Sequence, residues 1–369
     1  MTVTADAHGP ASGERTPPTA LGYVPALDGI RAVAVLMVIG SHIGLLRALP
    51  DGWKLRGGFI GVDIFFVLSG FLITTLLLEE RQKRGSVRVG TFYRRRAMRL
   101  LPALVGFLAM HVVFITLVLG HPIAIERRWI PSALLFATNW SAIAAQPPIA
   151  IGHLWSLAVE EQFYLVWPFV MILVGTRARP RYVVAGLVAT IAVIGIHRWL
   201  LWEATSVARV VLGTDTHADG LMFGALLAHV RAWRPTARLP RPALLIAAAL
   251  LGATAALVKP GAAFLFRGGY TLVGAAAAVV IASAVGGDRL ATGALARRPL
   301  LAIGRVSYGL YLWHPLVFWW VFVELHTRSD TVRFFAGVVA TAVATSASWY
   351  LVERPFLRWK SRLESVLPS

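Results

Sequence analysis

About ten stretches of this chain are apolar over a length that can cross roughly 30 Å of hydrocarbon, and they follow one another closely. They fall near 27–46, 59–79, 100–120, 152–174, 182–201, 217–232, 243–258, 270–286, 306–325 and 333–352. A segment of this length crosses a bilayer as a helix, so the pattern predicts an all-α, polytopic membrane bundle. A soluble chain would need only one amphipathic core, whereas this one is 57% hydrophobic and 15% charged. No internal repeat shows, and no Pro- or Gly-rich linker separates domains. The expected organisation is a disordered tail over 1–26, one membrane domain over 27–352 and a short tail over 353–369, with no appended soluble module.

The net charge of +18 could suggest a nucleic-acid partner. The basic residues, however, lie mostly in short loops between apolar runs, where they act as positive-inside topology signals, and no nucleic acid is expected. The densest loop, EERQKRGSVRVGTFYRRRAMR, should stay in the cytosol. With ten spans both termini are then cytosolic, and the protein is expected in the cell membrane. Arg47, Lys54, Arg56, Arg127 and Arg128 run against this bias, and the apolar piece Trp129 to Ala145 fits only as a re-entrant or surface element. Trp155, Trp167, Trp199, Trp202, Trp313, Trp319, Trp320 and Trp349 sit near the ends of runs, as an interfacial aromatic belt would place them. The absence of cysteine excludes disulfides, thiolate metal sites and cysteine nucleophiles.

Ionisable groups inside the apolar runs are the functional signal. A charge at the centre of a bilayer costs on the order of 2.5 to 3.5 kcal/mol on insertion scales, so such groups face a polar interior. The first run, LDGIRAVAVLMVIGSHIG, carries Asp28, Arg31 and His42. Eleven helical steps bring Arg31 and His42 to nearly the same face, roughly 16 Å apart along the axis. Asp63, in GGFIGVDIFFVLSGF, needs a partner such as Arg31 or His42, or else a proton, while the glycines of that stretch read as close-packing points. Arg94, Arg95, Arg96 and Arg99 open the third run. They are either a topology anchor or a phosphate clamp, with Arg96 and Arg99 projecting together. In HLWSLAVEEQFYLVWP, Glu160 and Glu161 splay about 100° apart, so at most one faces a given cavity and the other is free to pair with an arginine. Asp215, His217 and Asp219 open the sixth run, where they line a mouth or sit in interfacial water. Ser307, Tyr311 and His314 form a polar stripe in the ninth, where the alternative is structural glue between helices.

In combination these motifs resemble the acyltransferase-3 family of integral membrane O-acyltransferases, over nearly the whole chain from Leu27 to Pro355. The matching stretches, in order, are LDGIRAVAV with its downstream His42, GGFIGVDIFFVLSGF, FYRRRAMRLLP, HLWSLAVEEQFY, THADGLMFGALLA, RVSYGLYLWHPL and VERP. The resemblance implies transfer of an acyl group, usually acetyl, from cytosolic acyl-CoA to a hydroxyl of a glycan, glycolipid or antibiotic sugar. It assigns donor handling and transfer to Arg31, His42, Arg96 and Arg99. One departure stands out: His217 occupies a position where members of the family often have Arg.

The chemistry asks for the same residue types. Transfer from a thioester to an alcohol needs a base for the hydroxyl proton and a donor or cation for the tetrahedral oxyanion. His42 suits the first task, as base or acyl relay, with Asp63 or a glutamate of the fourth run orienting its ring; Arg31 suits the second. No metal is called for. Arg31, His42, Asp63, one of Glu160 and Glu161, and Tyr311 or His314 are therefore expected to line one cavity, open near Arg96 and Arg99. A transporter or flippase for a lipid or glycan is the competing class, since it too buries charges along a path.

Overall fold

The computed structural model describes residues 21–45, 55–118, 126–174, 178–325 and 329–356, together with positions 120, 122 and 358. Most of the two expected tails, and Arg47, Lys54 and Arg177 among the loop cations, lie outside the described residues. Within them the chain is helical throughout, without a β-strand. The helices run α1 (Pro25–Leu45), α2 (Gly61–Arg84), α3 (Val89–Val113), α4 (Trp129–Leu134), α5 (Thr138–Ala144), α6 (Ile149–Gly152), α7 (Leu154–Val174), α8 (Pro180–Ala204) and α9 (Val207–Leu212). They continue with α10 (Thr214–His217), α11 (Asp219–Trp233), α12 (Arg241–Leu257), α13 (Tyr270–Val285), α14 (Arg289–Leu295), α15 (Arg298–Arg305), α16 (Ser307–Glu324) and α17 (Asp330–Ser348).

Each apolar stretch falls on a helix, but not all are full crossings. Seven helices are long and apolar enough to span a membrane, and α15 with α16, bent by 70° at their junction, would make an eighth as one broken span. The 15 residues of α11 and the 17 of α12 reach only about 22 and 26 Å, short of a roughly 30 Å core. The piece Trp129 to Ala145 is broken into α4 and α5 by Phe136, whose φ of 52° interrupts the helix, and neither half is long enough to cross.

Helix α2 is the centre of the bundle. Its apolar window is 72% buried, against 17% for α8 and 22% for the helix that begins at Asp330, whose exposed Val193, Leu200, Phe335 and Val343 form the outer, lipid-compatible face. The crossing of α2 with α11 depends on glycine. A Cβ on Gly70 would stand 2.0 Å from the Leu221 carbonyl oxygen, and one on Gly224 would stand 2.1 Å from that of Val67. Gly58 and Gly57 are equally tight against the backbones of Met37 and Thr254, so these glycines are close-packing points that let helix backbones touch. At its far end α2 stops at Gly85, which takes the left-handed conformation (φ 74°) and caps the Arg81 carbonyl.

The tryptophans do not all form a belt. Trp199 and Trp320 are exposed, as anchors would be, but Trp167 and Trp313 are buried, and the Trp167 indole donates to Thr74 Oγ1 at 2.8 Å. A side chain near the end of a run is interfacial only if its helix face points outward; α7 turns Trp167 inward against α2.

Candidate active site

Four helices, α1, α2, α3 and α7, converge with the start of α16 around a cavity of about 910 Å³, its open mouth included. Arg31, Arg96 and Arg99 line it, each from the first half of α1 or α3. Glu160, Ser156 and Tyr311 line it from α7 and α16. The side chains differ in how firmly they are held. Arg96 is clamped: its Nη2 and Nε lie 2.6 and 2.8 Å from Glu161 Oε1, and its guanidinium stacks 3.3 Å from the centre of the Tyr164 ring. Arg31 is tied to Asp28 one turn earlier at 2.7 Å, and Asp28 also accepts from the Tyr23 hydroxyl. Arg99 is exposed at the cavity and makes no hydrogen bond or ion pair among the described residues.

The two adjacent glutamates divide the work as their 100° separation requires. Glu161 turns to Arg96, while Glu160 faces the cavity and accepts from the Ser69 and Tyr164 hydroxyls. Three guanidiniums and one carboxylate lie on the lining itself; Asp28 and Glu161 behind it balance Arg31 and Arg96, so the arginines present their N–H groups to an anionic ligand without a large net charge.

His42 and His314 meet away from this lining. His42 Nδ1 lies 3.0 Å from the Val38 carbonyl oxygen, and His314 Nδ1 lies 2.9 Å from that of Leu310, one turn back on each helix. A carbonyl only accepts, so both Nδ1 atoms carry hydrogen, which leaves the Nε2 lone pairs free. His314 Nε2 points at His42 Nδ1 from 3.3 Å, so the one N–H there is shared between the Val38 carbonyl and the His314 ring, and His42 Nε2 makes no hydrogen bond among the described residues. The side chain common to both places is Tyr311. It lines the cavity, its hydroxyl is 2.5 Å from Ser156 Oγ and donates to the His153 carbonyl at 2.8 Å, and its ring lies 5.9 Å from that of His314. Pro315, one residue beyond His314, has no N–H to give the Tyr311 carbonyl, which loosens α16 where the two sites adjoin.

Asp63 is not in the cavity. It pairs with neither Arg31 nor His42: its Oδ1 faces His217 Nε2 at 2.9 Å, on the side of α2 that packs against α11. The sequence spacing could not show this, because a residue one position from the cavity-lining Val62 is turned about 100° from it. His217 Nδ1 in turn lies 2.6 Å from the Val211 carbonyl oxygen. Next to this pair, Arg198 makes two 2.9 Å bonds to the two oxygens of Asp219, and Thr271 completes the set at 2.6 Å from Arg198 Nη2. Arg198 and Asp219 are entirely enclosed, so α8, α11 and α13 are joined by a buried ion pair. Asp215, by contrast, sits on the exposed rim, held by Arg209 and His197, and those partners keep its carboxyl below the usual carboxylate range.

Sequence reasoning passed over Ser156 and Tyr164, whose hydroxyls look ordinary in an apolar run, and over Arg198. The last carried a usable signal: a lone guanidinium inside a run needs a carboxylate, and the nearest unassigned ones were those around Asp219.

The acyltransferase domain family matches residues 24–353 of the chain. Among curated relatives, the O-acetyltransferase OatA of Staphylococcus aureus (strain NCTC 8325 / PS 47) is 31% identical over 94% of this chain and 59% of its own length. The peptidoglycan O-acetyltransferase OatA of Listeria monocytogenes serovar 1/2a is 33% identical over 90% of this chain and 56% of its own. A putative O-acetyltransferase of Staphylococcus aureus (strain MRSA252) is 30% identical over 92% and 59%. The chain thus spans a little over half the length of the curated relatives it matches. No solved structure matches it.

Proposed function

Because the chain belongs to the acyltransferase-3 family, we propose that it is a membrane O-acyltransferase, moving an acyl group, acetyl in the first instance, from cytosolic acyl-CoA to a hydroxyl of a carbohydrate. The names of the relatives favour a cell-wall glycan as the acceptor class. The observation that carries the reading is the pairing of two unlike places around Tyr311: an arginine-lined cavity and, adjoining it, an imidazole pair with a free Nε2. Arg31, Arg96 and Arg99 bind the phosphates and pantetheine arm of the donor. The three guanidiniums on one lining, with the planar fork of Arg96 held in place, suit a polyphosphate. In this reading the short α11 and α12 also cross, so that the spans number ten, both termini lie in the cytosol, and the cavity opens on that side.

The transfer then proceeds as follows. Tyr311 swings aside to admit the thioester to the imidazole pair. His42 Nε2 takes the proton of the acceptor hydroxyl as its oxygen forms a bond to the thioester carbon. The imidazolium so formed places positive charge beside the tetrahedral oxyanion and lowers the barrier. Collapse breaks the carbon–sulfur bond, and the departing thiolate takes the proton from His42, so that an ester and CoA thiol are formed. His314 keeps the ring of His42 in the tautomer that exposes Nε2.

Purified protein in detergent or nanodiscs should release CoA thiol from acetyl-CoA only when a hydroxyl-bearing glycan is present. His42→Ala should reduce that release by at least about a hundredfold, the usual contribution of a general base, with membrane insertion and thermal stability retained. Solute movement with the thioester left intact, or normal turnover in the variant, would overturn the proposal.

A further inference from the structure

The network around His217 lies outside the cavity yet touches its wall. Four groups are buried together: Asp63 from α2, His217 from α10, Asp219 from α11 and Arg198 from α8. The other helices facing the ring supply uncharged Tyr270 from α13, its ring 4.5 Å away, and Trp155 from α7 at 5.4 Å. Both Nη groups of Arg198 are committed to Asp219, Thr216 and Thr271, so among the described residues the Asp63 carboxyl has His217 as its hydrogen-bond partner.

Both ring nitrogens of His217 face acceptors, the Val211 carbonyl at one and the Asp63 carboxyl at the other. A neutral imidazole has one N–H and can satisfy only one of them. The pair must therefore hold a second proton, whether it sits on the ring or on the carboxyl. With that proton the four groups sum to zero charge. Without it a net negative charge is buried, and a nitrogen lone pair faces a carboxylate oxygen.

The coupling to the active site is through contact. The Phe66 ring, which lines the cavity, packs edge-on to the His217 ring at 5.9 Å, and Trp155 immediately precedes the cavity residue Ser156, the partner of Tyr311. We propose that His217 is a positioning residue of the transfer site that works only in its protonated pair with Asp63, so that acyl transfer and the packing of α2 on α10 and α11 fail together as pH rises through that titration. This inference rests on the transferase reading. It deepens it by assigning the alkaline limit of the reaction to a group remote from the reacting atoms.

The sign follows from the charge sum: stability is present while the pair is protonated and is lost at alkaline pH. The test compares thermal unfolding and CoA release across pH for wild type, Asp63→Asn, His217→Arg and His217→Gln. Wild type should lose turnover tenfold per pH unit on the alkaline side, with a parallel fall in melting temperature. Asp63→Asn satisfies a neutral ring with an amide donor, and His217→Arg supplies a permanent cation, so both should flatten the thermal limb. His217→Gln strands the carboxylate and should be destabilised at every pH. An alkaline thermal limb that survives both Asp63→Asn and His217→Arg overturns the proposal, as does a thermal limb with no matching limb in turnover. The melting curve needs no turnover. Failure of the transferase reading would therefore appear separately, as absent CoA release with the thermal limb intact.

Discussion

At the scale of single residues, the site is a set of cations and imidazoles made usable by their partners. Arg96 shows the principle. A guanidinium with several rotatable bonds binds a phosphate well only if its fork is held in place, and here Glu161 fixes its edge while Tyr164 fixes its face. Glu161→Gln should therefore weaken the donor and not the chemistry: KM for acyl-CoA rises about tenfold, equivalent to ~1.4 kcal/mol, while kcat changes little. Steady-state kinetics with the donor varied would check this, and an equal loss in both constants would count against a purely donor-side role. Which glutamate would turn which way was not legible in the sequence, because two adjacent residues on a helix differ only in azimuth. That arginines and a glutamate would gather was legible, because each is too costly to leave in lipid, but His42 and His314, expected on the same lining, meet outside it. Asp63 belongs to the same class by cost yet gathers elsewhere, with His217, since cost requires a partner without saying which one.

At the scale of helices, the bundle is held by backbone contact as much as by side-chain interlocking. Bilayer lipid is as apolar as leucine, so helices gain little by hiding apolar side chains from it, and close approach at small residues supplies the contact instead. Gly224 is hemmed in on two sides: an added Cβ would meet the Val67 oxygen at 2.1 Å and the Phe71 nitrogen at 2.4 Å, both backbone atoms that cannot step aside. Gly224→Leu should separate α11 from α2 and exceed the ~1–3 kcal/mol usual for overpacking. Size-exclusion profiles in detergent would show loss of the monodisperse peak, whereas the same change at Gly186 of α8, where a Cβ meets nothing within 4 Å, should leave it intact. The apolar runs announced where helices would be, but not their ends. The shortness of α11 and α12 and the bend between α15 and α16 depend on how neighbouring helices cover the backbone, which a hydropathy window does not see.

For the whole molecule, orientation is the property on which donor and acceptor sides depend. The chain has no cysteine, so a single introduced one reports without background. Cysteines placed near the N-terminus and at Gly85, between α2 and α3, should be protected from a membrane-impermeant maleimide in intact cells and label only after permeabilisation. One at Trp140 of α5, on the opposite side in a ten-span arrangement, should label at once. Reversed labelling would move the arginine cavity to the other face and with it the source of the donor.

The separation of Arg31 from His42 has a consequence for donor choice. The two are fixed on one uninterrupted helix, so the span of roughly 16 Å between them cannot adapt to a ligand. The arginines and the imidazole pair act as the two marks of a gauge, reached together only by a donor whose anionic end and thioester are the right distance apart. A truncated thioester, stripped of its nucleotide and most of its arm, touches the second mark without the first. It would be used poorly, and its use would be indifferent to which residues stand at 31, 96 and 99.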